Sequence, residues 1–228
     1  MTVTVARTRI KICGITRPED AQAAAAAGAD AIGLVFYPTS PRAVTIEQAQ
    51  AVLAATPALV TRVGLFVDAD AGWVAEVARE LSLDLLQLHG DESVEYCETL
   101  QYPWMKALRV RPDTDVAAEV ARYAAGSAVL LDAYKQGVPG GTGESFDWTQ
   151  APAEATVPLV LAGGLEPGNV GAAIDTLRPY AVDVSGGVES APGIKSPERI
   201  AAFARAVAQA DGRLEEQGSE PRLVTSSN

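Results

Sequence analysis

Short apolar runs recur along the chain at residues 9–13, 31–36, 60–67, 84–88, 105–108, 128–131, 159–161 and 181–184. Stretches with helical spacing of apolar positions lie between most of them. Runs such as AIGLVF and AVLLD show no in-out alternation. They therefore predict strands buried on both faces, as in a parallel sheet covered by helices. Helices are predicted from Ala21 onward and over 45–55, 71–81, 93–100, 114–124, 167–177 and 197–210. For the first, Thr16 with Glu19 reads as a capping box and Gly28 as the C′ residue. A sixth helix, near Asp147, is poorly marked. Eight strand–helix units in roughly 200 residues fit a single (β/α)8 TIM barrel better than an open doubly wound sheet. The barrel is expected to occupy residues 1–210. Residues 211–228, polar and without an apolar period, are expected to form a flexible tail.

Composition narrows the function. With 18 Lys and Arg against 29 Asp and Glu, the net charge is -11, which disfavours a nucleic-acid-binding surface. The N-terminus lacks a secretory pattern, and no apolar segment reaches the ~18 residues of a membrane span, so a cytoplasmic protein without membrane contacts is expected. Cys13 and Cys97 lack metal-ligand spacing and are too few for a disulfide framework, so free thiols are expected.

In such barrels the chemistry sits where the strands end, at their C-terminal face. The first strand ends in KICGIT, putting Cys13 at the barrel mouth. It is either a packed apolar thiol or a base whose thiolate is favoured by the helix that follows. The sixth strand ends in Asp132, before the glycine-rich stretch AYKQGVPGGTGESFDW. That carboxyl can cap a turn or, in a dry site, act as a general acid. Gly163 and Gly164 follow strand seven, and Ser185, Gly186 and Gly187 follow strand eight. Glycine pairs serve turns, but at these two strand ends their open amides also suit a phosphate. Arg42, in the proline-stiffened FYPTSPR, is a solvated charge or a fork for a carboxylate. His89, the only histidine, either lines the pocket or bonds backbone, and Asp183 either meets a ribose hydroxyl or braces the barrel. Trp73, Trp104 and Trp148 read as packing residues.

KICGIT, FYPTSPR, VGLFV, LQLHG, LLDAYKQGVPGGTGESFDW, LAGGLEPGNV and DVSGGVE, in that order, resemble the phosphoribosylanthranilate isomerases over about residues 9–207. The resemblance implies an Amadori rearrangement in tryptophan biosynthesis, with Asp132 as general acid, Cys13 as general base, Arg42 on the anthranilate carboxylate and the glycine loops on the phosphate. It implies neither cofactor nor metal. The only expected partner is a small phosphorylated substrate, and the chain is expected to be a monomer or homodimer. One departure stands out: the family commonly has two serines where this chain has Ser185 and Gly186. A related histidine-pathway or bifunctional isomerase is an alternative, but such relatives carry aspartate where this chain has Cys13. A non-catalytic phosphate-binding barrel would keep the glycines without needing an acid and a base.

Overall fold

The computed structural model describes residues 2–4, 7–111, 113–133, 148–152, 155–216 and 223–225. Its centre is a closed barrel of eight parallel strands in sequence order. We number them β1 (Arg9–Cys13), β2 (Ala31–Val35), β3 (Thr61–Phe66), β4 (Leu85–Leu88), β5 (Trp104–Val110), β6 (Ala128–Ala133), β7 (Leu159–Leu161) and β8 (Ala181–Val184). The barrel closes between β1 and β8, where Lys11 stands opposite Asp183. The helices are α1 (Pro18–Ala26), α2 (Ile46–Ala54), α3 (Ala71–Glu80), α4 (Val94–Thr99), α5 (Val116–Arg122), α6 (Val170–Leu177) and α7 (Pro197–Glu216).

Alternation along each strand explains the two-sided apolar pattern. Ile10, Ile12, Ile32, Leu34, Leu86, Leu88, Val129, Leu131, Leu159, Leu161 and Val182 belong to the main core, shared with the apolar faces of the helices. Their strand neighbours point inward instead: Val63, Met105, Ala107, Leu130, Val160 and Ala181 fill the barrel's interior. Cys13, Val35 and Leu65 form a separate small layer. The interior is a packed core that turns polar toward its mouth.

Several local expectations are corrected. Arg17, not Thr16, precedes helix α1, and no side chain caps it. Pro18 opens the helix, needing no N–H partner of its own, while the Thr16 hydroxyl donates to the Gly193 carbonyl at 2.5 Å. A capping box does form at Thr45 and Gln48. Where a sixth helix was sought, the described residues hold one turn of 3-10 helix, Trp148–Gln150, and Asp147 itself lies outside them. The last helix runs past Ala210 to Glu216. Asp211 accepts from the Thr8 amide and hydroxyl at 2.9 and 2.7 Å, and Arg213 pairs with Asp175 at 2.7 Å. Thr2–Thr4 also pairs antiparallel with Leu223–Thr225, so the two ends of the chain meet.

A dry ionic knot ties the loops after β3 and β4 to β5. Lys106 is 2% exposed, and its ammonium donates to Glu92 at 3.0 Å and to the Gly90 carbonyl at 2.7 Å. Glu92 in turn accepts from the amides of Asp68 and Gly90, both at 2.9 Å. Glu92→Ala leaves that ammonium buried without its counter-charge, which generally costs about 3–5 kcal/mol. Urea unfolding of the variant should show a loss of that order; a loss below ~1 kcal/mol, the range of an exposed pair, would contradict this account of the knot.

Candidate active site

The mouth of the barrel opens into a cavity of about 340 Å³. Cys13, Arg42, His89, Asp132, Gly163, Gly164, Asp183, Ser185, Gly186 and Gly187 all line it, together with Gln87. The structure thus brings every candidate from the sequence to one site. Cys13 and Asp132 reach it from strands three places apart around the closed sheet. The glycine-rich stretch at 134–147, beyond Asp132, lies outside the described residues.

Cys13 shares its surroundings with a buried cation. Lys11, two residues earlier on β1, donates to Asp183 at 2.7 Å. A Cβ on Gly33 would fall 2.8 Å from Cys13 Sγ and 3.1 Å from Lys11 Nζ, so thiol and ammonium sit side by side against one piece of backbone. Burial nevertheless dominates: it pushes the Cys13 pKa above the ordinary thiol value, with Lys11 opposing and Asp183 adding to the rise. The expected lowering by the following helix is therefore corrected. Desolvation outweighs it, and the charge nearest the thiol comes from a strand lysine that the sequence reading missed. Burial also pulls the Lys11 pKa down, but Asp183 and Cys13 together raise it above the usual value, so the ammonium stays charged.

Arg42 is not a free fork. Its Nε and Nη2 donate to the two carboxylate oxygens of Glu189, at 2.7 and 2.8 Å. Lys195, buried in the hairpin that follows β8, donates to the same carboxylate at 2.8 Å and to the Ser185 carbonyl at 3.1 Å. Burial by itself raises the Glu189 pKa; Arg42 and Lys195 overcome it and hold the carboxyl below its usual value. The arginine is thereby tied, through Glu189 and Lys195, to the loop that carries Ser185 and Gly186. Glu189 and Lys195 were not singled out from the sequence. Their signal is a buried acid and a buried base flanking a two-residue turn, a pattern with many surface counterparts.

The β7 and β8 loops are pressed together. Gly163 and Gly164 adopt positive φ of 81° and 63°, open to glycine with little strain. A Cβ at Gly187 would fall 2.0 Å from the Leu165 carbonyl oxygen, so only glycine permits this approach. Gly186–Val188 begins a 3-10 turn. The two loops together form a glycine-rich rim of the cavity, suited to an anion.

Asp132 is 4% exposed, and its Oδ2 lies 3.1 Å from His89 Nε2. Gln87 Nε2 lies 2.9 Å from the other ring nitrogen, Nδ1. Among the described residues the His89 ring is therefore bonded to two side chains and not to backbone. Cys97 is buried in α4, its thiol pushed up to about 11 chiefly by desolvation. Among the described residues, no group of three or more His, Cys, Asp or Glu is arranged to hold a metal ion.

Residues 10–206 match the family described as N-(5'phosphoribosyl)anthranilate (PRA) isomerase. The N-(5'-phosphoribosyl)anthranilate isomerase of Cellvibrio japonicus (strain Ueda107) is 57% identical over 209 residues, covering 92% of this chain and 97% of its own. A crystal structure of phosphoribosyl anthranilate isomerase in complex with reduced 1-(o-carboxyphenylamino)-1-deoxyribulose 5-phosphate superposes with a TM-score of 0.76 at 37% identity. That match covers 89% of this chain and 99% of the other. A structure of monomers generated from the dimeric Thermotoga maritima enzyme matches with a TM-score of 0.76 at 36% identity, over 89% and 99% of the two chains.

The site yields one direct chemical expectation. Because burial favours the neutral thiol, the Cys13 thiolate is scarce at neutral pH and grows as pH rises. In a Cys97→Ala background, the rate of Cys13 alkylation should climb with a midpoint above the ordinary ~8.5 of a free thiol. A midpoint at or below that value would mean that Lys11 outweighs desolvation.

Proposed function

Because the chain belongs to the N-(5'-phosphoribosyl)anthranilate isomerase family, we infer that it converts N-(5'-phosphoribosyl)anthranilate into 1-(2-carboxyphenylamino)-1-deoxyribulose 5-phosphate in tryptophan biosynthesis, with Cys13 and Asp132 moving the protons. The observation that carries the assignment of roles is the convergence of one thiol, one carboxyl, an oriented arginine and a glycine-rich rim on a single cavity.

In the proposed sequence Asp132 gives its proton to the furanose ring oxygen as the bond from that oxygen to C1′ breaks. The amino nitrogen's lone pair forms the C1′=N bond of a Schiff base. Cys13, as thiolate, then removes the C2′ proton, and the electrons left behind form a C1′=C2′ double bond and neutralise the nitrogen. The resulting enolamine becomes the ketone when its C2′ hydroxyl loses a proton and C1′ gains one. All of these are proton shifts within one molecule, and the balance calls for no oxidant or reductant. Lys11 beside Cys13 stabilises the thiolate as it forms, in a place too dry to do so through water.

Arg42 is assigned to the anthranilate carboxylate through the N–H groups that Glu189 leaves unused. The amides around Gly163, Gly164, Gly186 and Gly187 are assigned to the phosphate. Gly186 in place of the family's second serine removes one hydroxyl and keeps the amide. Ser185 is held by Lys195. Asp183 is assigned to holding Lys11, not to a ribose hydroxyl.

The catalytic unit is proposed to be the barrel, residues 1–210, with the remainder outside the chemistry. All the assigned residues come from one chain, so a monomer suffices and a homodimer is compatible. The cytoplasm is the proposed location, since a base that works as a free thiol has to stay reduced. Net charge of -11 supports the absence of a nucleic-acid partner.

A single kinetic series tests the roles, following the loss of anthranilate-type fluorescence from phosphoribosylanthranilate. Cys13→Ser and Asp132→Asn should each lower kcat by roughly 10² to 10⁴-fold while substrate still binds. Arg42→Ala should chiefly raise KM, because the carboxylate it holds is remote from the reacting carbons. Near-normal turnover by Cys13→Ser would make Cys13 a packing residue and remove the proposed base.

A further inference from the structure

Gln87 is fully buried, at 0% exposure, on the inward face of β4. The roles assigned above give it nothing to do. Yet it stands at the end of a chain of polar contacts that finishes on the proposed acid: Gln87 Nε2 to His89 Nδ1 at 2.9 Å, and His89 Nε2 to Asp132 Oδ2 at 3.1 Å. Position 87 shares its side of the strand with His89, two residues on, and both line the cavity. The other amide atom, Gln87 Oε1, is buried without a partner among the described residues. Among the described residues the histidine is thus the hydrogen-bond partner of the Gln87 amide.

A neutral imidazole has one N–H and one bare nitrogen. When Asp132 is ionised, the stronger of the two bonds open to the imidazole is the charge-assisted one, with Nε2–H donating to the carboxylate. That choice leaves Nδ1 as an acceptor, which is what a neighbouring amide N–H satisfies. The opposite tautomer would put N–H against N–H at Gln87 unless the amide turned to present Oε1, and would leave Nε2 bare toward Asp132. A protonated Asp132 would then donate to the histidine instead of to substrate.

We propose that Gln87 is a positioning residue which, with its amide N–H on Nδ1, holds His89 in its Nε2–H form, so that Oδ2 of Asp132 is occupied as an acceptor and the acid's proton resides on Oδ1, free for the substrate. The catalytic consequence rests on the role given to Asp132; the tautomer does not. Gln87 acts through His89 and touches no reacting atom. The arrangement resembles the use of one side chain to fix the tautomer of a histidine that serves another, where the wrong tautomer is costly although the geometry is intact.

His89 is the only histidine of the chain, so one imidazole signal set reports it without assignment. Nitrogen-15 NMR of the free protein at about pH 8, above the ordinary imidazole value of ~6.5, should show Nε2 protonated and Nδ1 bare. Gln87→Met, similar in length and without the amide, should admit the second tautomer and lower kcat about tenfold with KM nearly unchanged, short of the ~10² to 10⁴ of losing an acid outright. Gln87→Glu, whose carboxylate draws the proton to Nδ1, should lower kcat further. Thermal melting of each variant checks that it folds. Protonation of Nδ1 in the wild type, or a Gln87→Met protein with unchanged tautomer and unchanged kcat, would overturn the proposal. If the wild type bound phosphoribosylanthranilate without turning it over, the functional reading would fall by itself, because the tautomer is read without substrate.

Discussion

Lys11 and Asp183 meet at 2.7 Å inside the seam where the first strand of the barrel joins the last. Both side chains are nearly dry, 6% and 8% exposed. A pair of this kind adds little net stability, since desolvation of two charges offsets most of their attraction. What it imposes is register. With the pair in place, the inward positions of β1 and β8 are set against each other, and Cys13 and Ser185, each two residues beyond a partner of the pair, both reach the mouth of the barrel. The same ammonium supplies the positive charge next to a thiol that burial keeps mostly neutral. In the proposed function, closure of the fold and the placing of a cation beside the base thus share one interaction.

A second tie works beside the same cavity. Glu189 holds Arg42 by two hydrogen bonds and Lys195 by a third, and Lys195 holds the backbone of Ser185. In the proposed function this sets the carboxylate clamp and the phosphate rim at a fixed separation, which is how a barrel measures the length of a substrate with an anion at each end. Holding both ends leaves the ribose carbons stationary between Cys13 and Asp132, so that much of the entropy of bringing acid and base to the substrate is spent in binding.

Most of the barrel was legible in the sequence because strands buried on both sides read as unbroken apolar runs, and each of the eight strand positions lies within two residues of its run. The helix ends were less so. Thr16 and Glu19 satisfy the letters of a capping box, but Pro18 moved the helix start by one residue and Thr16 was drawn to Gly193. The site divides in the same way. Residues at strand ends, such as Cys13 and Asp132, declare themselves by position. Lys11, Glu189 and Lys195 act through partners elsewhere in the sequence, and Gln87 through His89 two residues on, so none of them declares itself by standing at a strand end. In retrospect a signal exists for Lys11 and Gln87: each is a polar residue inside an apolar strand, two before a candidate, and therefore on the same face. The thiol's pKa was misjudged because a dipole can be counted along the chain, whereas desolvation depends on residues from all around the barrel.

The central claim is that Cys13 faces the carbon that loses a proton while Asp132 faces the oxygen that gains one. A crystal structure of this protein with the reduced product bound tests it most directly. The account predicts the phosphate on the amides around Gly164 and Gly186, the carboxylate on Arg42, Cys13 Sγ within ~3.5 Å of C2′, and Asp132 Oδ1 within hydrogen-bond reach of the oxygen that closed the ring. A bound product with Asp132 against C2′, or with C2′ out of reach of Cys13, would contradict it.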